Sequence, residues 1–450
     1  MKIGYLMQAG APDLRSSPSS GPANHVKHVF RELKSLGHQV RLITLSGRNI
    51  FKSDDLEEFV AIKVGMDRGV PRLVERVVRR AQYELTLPYA AFFESLRFAS
   101  ACVQELAGFD LLYERMGWVG YGAALVSRRL NIPLVLEING DHLNELEMLG
   151  VAPRGLQRKL SMSLVRWAVN QALYAVATGE GWRRQHICNW NVPAERIAVI
   201  ENGTVMVDLL RRSELRSFCG SPKLEGGPVT IIYVGALEPW QGLSILLRAV
   251  AAAIRKGAKV QLLLAGRGSL EVPLKREAEK LGLGEEVRFS GSVGAQELAR
   301  LLASADIGVS CYAGRCEYSG LKLLDYKAAG LAIIASGRDG EPAILQHGRT
   351  GWIVPPGNES ALTDAIRRLA EDADTRRALG REARLEAELQ HSWRHTAQEL
   401  VSLFNRLLSV NTIQRATTIP VWSPDLERTL RRPPAESAGV PAAPGGEGNA

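Results

Sequence analysis

Cysteine is scarce in this 450-residue sequence, and the five present (Cys102, Cys188, Cys219, Cys311 and Cys316) form no C-x2-C pair and no repeating spacing. An odd, scattered set suits a reducing compartment and supplies neither a zinc framework nor a disulfide framework. Long apolar runs are missing too. Stretches such as Ala99–Val103 and Val260–Gly266 fall far short of the roughly 20 residues that cross a bilayer. Met1–Gly10 holds one lysine and an apolar run too short for the h-region of a secretory signal. The expectation is a cytoplasmic chain. Aromatic residues make up only 6%, and nothing reads as a helix-turn-helix, a zinc finger or an aromatic-studded RNA module. Nucleic acid is therefore not expected as a partner.

What is present is an ordinary globular composition, 46% apolar and 23% charged, in a chain long enough for two or three domains. The net charge of +8 fits acidic lipid surfaces or phosphorylated substrates. Strand-like runs alternate with amphipathic stretches throughout, the pattern of parallel sheets covered by helices. In the first half, strands are predicted at Lys2–Met7, Gln39–Leu45, Leu111–Met116, Leu134–Asn139, Tyr174–Thr178 and Ile197–Glu201. In the second half they are predicted at Thr230–Val234, Val260–Ala265, Val287–Ser290, Ile307–Cys311, Ala332–Ala335 and Trp352–Val354. Between the halves, Gly220, Pro222, Gly226, Gly227 and Pro228 mark a linker. The expected fold class is α/β: two doubly wound domains, 1–207 and 229–390, joined by a linker over 208–228. A helix over 391–410 is expected to pack back toward the first domain, and 411–450, rich in Pro, Gly and Ala, is expected to be a disordered tail. Ligands of such sheets bind at strand carboxyl ends, which places the site between the halves.

The most informative segment runs from Glu317 to Pro356. A helix beginning near Gly320 would aim backbone N–H groups and a positive dipole end into the cleft, a site for phosphate. Glu317 precedes that start and Asp325 follows eight residues later. Both can accept hydrogen bonds from sugar or ribose hydroxyls.

This segment resembles the signature of glycosyltransferase family 4, retaining enzymes with the GT-B fold of two facing Rossmann-like domains. Glu317 matches the first carboxylate of an E-x7-E pattern and Asp325 the second, with Asp for Glu; Ala329–Gly330 and Ala332–Ala335 continue it. Other resemblances follow in order: GPANHV (Gly21–Val26), YERM (Tyr113–Met116), IPLVLEING (Ile132–Gly140), ATGEGWRRQ (Ala177–Gln185), RIAVIENG (Arg196–Gly203), VGALEPWQGLSILLRA (Val234–Ala249) and ADIGVSCY (Ala305–Tyr312). Together they span about residues 1 to 390.

The resemblance implies a nucleoside diphosphate sugar as donor on the second domain, an acceptor (a glycan, a lipid-linked molecule or a small molecule) on the first, and no cofactor and no metal. It points to Gly235, Arg267, Ser319, Gly320, Leu321 and Asp325 for the donor, and to Gly21, Asn139, Asn202 and Gly203 for the acceptor or the cleft. Glu317, Lys322 and His142 are the candidate catalytic residues; His142, near a strand end, could move a proton or orient the acceptor. One departure stands out: the family's usual Arg and Lys against the pyrophosphate are here Ala236 and Gln241. Lys322 is the preferred substitute cation and Arg267 the second. If no cation substitutes, a non-catalytic nucleotide-sugar-binding subunit is the alternative, and a sugar-nucleotide epimerase on the same fold is a third reading.

Two further segments have plain structural readings beside functional ones. Asp372–Asp374 has the form of a metal-binding D-x-D but sits in an acidic helical stretch. Arg72–Phe98 interleaves Arg72, Arg76, Arg79 and Arg80 with Leu73, Val74, Val77 and Val78. A basic amphipathic helix of this kind either packs on its own domain or rests on anionic lipid at the inner face of a membrane.

Overall fold

The structure is a computed structural model in which residues 1–9, 13–15, 21–67, 69–85, 88–140, 142–148, 150–210, 227–313, 320–338 and 340–415 are described. Residues 1–401 form one compact unit, and the described part of the second, 402–415, is helical.

Two sheets organise the first unit. The first contains β1 (Lys2–Met7), β2 (Gln39–Ser46), β3 (Asn49–Ser53), β4 (Val60–Ala61), β5 (Leu111–Arg115), β6 (Leu134–Ile138), β7 (Tyr174–Ala177) and β8 (Ile197–Val199). Their order is β4-β3-β2-β1-β5-β6-β7-β8. All pairs are parallel except β2–β3 and β3–β4, an antiparallel extension absent from the expectation. The second sheet, β11-β10-β9-β12-β13-β14, is wholly parallel, built from β9 (Val229–Val234), β10 (Val260–Ala265), β11 (Val287–Gly291), β12 (Ile307–Ser310), β13 (Ala332–Ser336) and β14 (Trp352–Val354). Its central strands are buried on both faces, which is why they read as continuous apolar runs rather than alternating ones.

Helices cover the first sheet: α1 (Gly21–Ser35), α2 (Gly69–Glu84), α3 (Phe92–Glu105), α4 (Gly122–Leu130), α5 (His142–Met148), α6 (Gly155–Gln171) and α7 (Glu180–Trp190). Then come α8 (Met206–Leu209), α9 (Leu243–Arg255), α10 (Glu271–Lys280), α11 (Ala295–Ser304), α12 (Leu321–Ala329), α13 (Glu359–Glu371), α14 (Ala373–Gln390) and α15 (Trp393–Arg415). The amphipathic pattern of α1 shows how such helices attach: Ala23, Val26, Val29, Phe30 and Leu33 share its buried face.

Several boundaries differ from the sequence reading. Met206, Val207 and Leu210 pack with Leu302, Leu323 and Ala383 of the second sheet's cover, so the chain joins the second domain before the linker expected at 208. Most of that linker, 211–226, lies outside the described residues, as do 416–450 of the expected tail. α15 extends to Arg415 rather than stopping at 410. At its start, Trp393 stacks on His28 of α1 and Thr396 donates to the Glu201 carbonyl at 2.9 Å.

Arg72–Phe98 is two helices with a break between them, not one. Asp372 is a helix cap: its carboxylate accepts from the Thr375 N–H at 2.9 Å, and Asp374 pairs with Arg377. Capping an orphan N–H and complementing the dipole explain that acidic pair without a metal.

Candidate functional site

Counted along the chain, the second sheet runs 3-2-1-4-5-6, so its winding reverses between β9 and β12. Ligands of open α/β sheets bind beyond the strand carboxyl ends at such a reversal. Tyr326 of α12 holds this split in shape. Its hydroxyl accepts from the Val234 N–H at 2.8 Å and donates to the Val309 carbonyl at 3.2 Å. The ring lies so close to β12 that a Cβ on Gly308 would come within 2.5 Å of it. Sequence reasoning missed Tyr326; the signal available was a glycine inside an otherwise bulky strand, which marks a close approach.

The start of α12 is thereby aimed over the ends of β9 and β12. Gly320 occupies its N-cap position and has no side chain to satisfy the first N–H groups. Lys322 follows in the first turn. Its Nζ donates to Gln241 Oε1 at 2.7 Å and lies 5.0 Å and 5.1 Å from the ring centres of Tyr233 and Tyr312. Two aromatic faces and an amide oxygen surround the ammonium. Gly235 belongs to the same place, since a Cβ there would sit 3.6 Å from Lys322 Cε. Burial pushes the neighbouring Cys311 thiol up to about 12, so it stays neutral despite the nearby lysine.

Asp325, one turn further along α12, accepts a hydrogen bond at Oδ1 from the Thr204 hydroxyl. Burial pushes its carboxyl up to about 7, while the threonine bond pulls the other way. Gly21, at the start of α1, faces the same helix start: a Cβ there would lie 3.6 Å from Leu321 Cδ1. Arg267 is exposed beyond β10, and its carbonyl accepts from the Leu237 N–H at 2.9 Å. Glu317 and Ser319 lie outside the described residues.

On the first sheet, Glu137 at the end of β6 is fully buried and gathers His25 (2.8 Å), Arg115 (2.9 Å), the Tyr5 hydroxyl (3.1 Å) and the Asn139 amide. Burial alone would raise its pKa, but His25 and Arg115 outweigh it and hold the carboxyl far below its usual range. His25 also meets Asn202 Oδ1 at 2.8 Å. Asn202 is buried, and Gly203 is pressed against α15, where a Cβ would come within 2.3 Å of the Trp393 nitrogen. His142 opens α5, its Nε2 2.9 Å from the Met116 carbonyl. The structure therefore brings Lys322, Gly235, Gly320, Leu321, Asp325 and Gly21 toward one region, and groups Asn139, Asn202 and Gly203 around Glu137 and the chain crossing at Trp393.

A second buried cluster was not legible in the sequence. Lys327 is wholly buried, its Nζ 2.9 Å from the Ile344 carbonyl, 3.1 Å from Glu386 and 3.2 Å from His391 Nε2. His391 in turn lies 3.5 Å from Glu201, which burial pushes up to about 7. A lysine in a helical stretch looks solvated until its neighbours from distant segments are known. Among the described residues, no group of three or more His, Cys, Asp or Glu is arranged to hold a metal.

Two family models match the chain, each on one sheet. The glycosyl transferase 4-like domain matches residues 20–203, and glycosyl transferases group 1 matches residues 220–386. The chain belongs to the group 1 glycosyltransferases. Within the group, it is 32% identical over 206 residues to the phosphatidyl-myo-inositol mannosyltransferase of Mycobacterium leprae, covering 45% of this chain and 54% of that protein. It is 28% identical over 339 residues to the D-inositol 3-phosphate glycosyltransferase of Nocardioides sp., covering 70% of each. The chain thus spans about half the length of the mannosyltransferase. Two solved structures share the GT-B fold: the Anabaena HepE protein in complex with UDP, at TM-score 0.63 and 17% identity over 90% of this chain and 100% of that one, and the sucrose-phosphate synthase of Thermosynechococcus elongatus, at 0.65 and 18% over 91% and 100%. In this group 1 chain, the start of α12 lies where such a sheet takes its ligand.

Proposed function

We propose that this chain transfers a hexosyl-type sugar from a nucleoside diphosphate sugar to an acceptor with retained anomeric configuration. The observation carrying the proposal is the position of Lys322 at the start of α12, held by Gln241 and flanked by Tyr233 and Tyr312 beside Gly235. A departing diphosphate gains negative charge as the glycosidic bond breaks. Helix N–H groups supply about half a unit charge, and Lys322 supplies the rest where Ala236 and Gln241 cannot. Preorganised charge of this kind commonly dominates such catalysis. Gly235, Gly320 and Leu321 line the diphosphate, Ser319 and Arg267 assist it, and Asp325 takes the ribose through Oδ2. Glu317 takes the transferred sugar. Gly21, Asn139, Asn202, Gly203 and His142 border or support the acceptor side.

UDP is the first nucleotide to try, because the HepE neighbour holds it. Named relatives that act on inositol phosphates and phosphatidyl-inositol favour polyol or lipid-linked acceptors. A lipid-linked acceptor would place the chain at a membrane face, with the basic 72–98 segment as the contact. Mass spectrometry of products from a panel of donors and acceptors tests the reading. Transfer to an acceptor supports it, a changed donor sugar without acceptor indicates the epimerase, and nucleotide binding without any conversion indicates the non-catalytic subunit.

A further inference from the structure

The helix α2 is built inside out. Of its 16 residues, Gly69–Glu84, only Glu75 is buried, while Val70, Leu73 and Val77 are 73%, 57% and 59% exposed, with Val74 and Val78 beside them. At 100° per residue these apolar side chains fall on one stripe, and Glu75, Arg79 and Gln82 fall on the opposite face.

That opposite face carries the attachment, and it is polar. Glu75 pairs with Arg97 of α3 and with Arg79 at 2.8 Å; Arg79 also pairs with Glu94, and Gln82 donates to the Pro88 carbonyl. The charged side faces the protein and the aliphatic side faces outward, the reverse of an ordinary surface helix. Leu85, Tyr89 and Phe92 extend the exposed apolar surface past the helix end. Next to it, a cavity of about 370 Å³ is walled by Val78, Tyr89, Phe92 and Phe93. Contiguous apolar surface of this kind is an interaction site.

The charges flanking the stripe select the occupant. Arg80 and Arg76 lie on one flank of the stripe, while Arg72 falls toward the opposite face; all three are exposed. The acidic residues of α2 are spoken for: Glu75 is turned inward and Glu84 pairs with Arg80 at 2.8 Å. A second copy of the chain docked on this helix would bring the same arginines and no acidic row to answer them. An anionic bilayer answers both features, accepting the aliphatic stripe among its acyl chains and the flanking guanidinium groups among its headgroup phosphates. Tyr89, exposed past the helix end, suits the boundary between these layers.

We infer that α2 is a peripheral membrane anchor: its exposed Val70–Val78 stripe inserts into the headgroup–acyl boundary of an anionic bilayer, with Arg76 and Arg80 on the lipid phosphates. This rests on reading the 72–98 segment as a membrane contact and is independent of the transfer chemistry, so vesicle binding and nucleotide binding are measured separately.

The test is co-sedimentation of the full chain with vesicles of phosphatidylcholine alone and of phosphatidylcholine mixed with phosphatidylglycerol. Binding to the mixed vesicles is expected, weakening with salt and at least tenfold weaker in a Val74→Asp, Val77→Asp double variant. Arg76→Gln should cost roughly fivefold on mixed vesicles, and Arg72→Gln, on the opposite face, much less. These side chains are exposed, so unchanged thermal unfolding and nucleotide affinity are expected in every variant. No binding to mixed vesicles by the wild type, or equal binding by the aspartate variant, overturns the inference. A dimer in sedimentation velocity that the aspartate variant dissolves, without vesicle binding, assigns the stripe to a second copy instead.

Discussion

Lys322 and Gln241 lie 81 residues apart in sequence, yet the lysine Nζ donates to the glutamine Oε1 at 2.7 Å over the carboxyl ends of β9 and β12. The residue standing at the family's lysine position therefore positions a lysine that arrives from another element. In the proposed reading the cation comes from α12 rather than from the loop after β9. Lys322→Ala should lower turnover by about 10² or more, as loss of one preorganised charge stabiliser does. Gln241→Ala should have a much smaller effect, because the two tyrosine rings still flank the ammonium. Arg267→Ala tests the fallback cation. Steady-state kinetics on variants of matched thermal stability decide the matter: wild-type rates in both Lys322→Ala and Arg267→Ala would end the idea of a relocated cation.

Asp325 gives a prediction with a sign. Its carboxyl is raised to about 7 by burial, against an unfolded value of 3.8. Between those values the folded state binds the extra proton, so this group's contribution to stability is present below about pH 4 and lost as pH rises through 7. Asp325→Asn should remove that decline, as read by thermal unfolding across the range. Donor binding should behave oppositely in the wild type, strengthening toward pH 8 as the carboxylate forms to accept ribose hydroxyls. Asp325→Ala should weaken nucleotide affinity about 10- to 100-fold, the usual loss of about 1.5–3 kcal/mol for a charged hydrogen bond. Calorimetric affinities equal to wild type would remove Asp325 from the donor site.

Glu137 should show the reverse pH behaviour. Its carboxyl is depressed by His25 and Arg115 against the effect of burial. Its stabilisation is therefore present above the unfolded value of 4.5 and lost as pH falls toward the lower folded value. His25→Ala removes one of the partners of the buried Glu137 while Arg115 remains, and should cost about 1–3 kcal/mol near neutral pH. Denaturant unfolding at pH 7 and at pH 4 checks both statements, and a cost that did not shrink in acid would contradict the pairing.

Gly203→Ala would place a methyl group within 2.3 Å of the Trp393 nitrogen. Backbone cannot yield as a side-chain end can, so a loss of about 1–3 kcal/mol is expected from overpacking. A lowered melting temperature with nucleotide affinity retained would show that Gly203 serves the crossing of two chain segments. An unchanged melting temperature with altered acceptor kinetics would instead place it at the acceptor.

The sequence by itself determined the class of fold, because strands buried on both faces must be continuous apolar runs, and Lys2–Met7, Val260–Ala265 and Ala332–Ala335 could be little else. It also located the start of α12, since Gly320, the helical pattern to Ala329 and the closing Gly330 are local signals. The short extension Asn49–Ser53 and Val60–Ala61 escaped it, being too brief and too polar to carry a period. Only the tertiary structure decided where side chains meet. Lys322 reaches Gln241, Thr204 reaches Asp325, and Lys327 is sealed among Glu386, His391 and Ile344, through contacts between distant segments that no local pattern encodes. It decided, too, the orientation of α2. Periodicity defines two faces of a helix, but which face turns inward depends on what the neighbouring helix offers, and here Arg97 and Glu94 of α3 draw the charged face in and leave the valines outside.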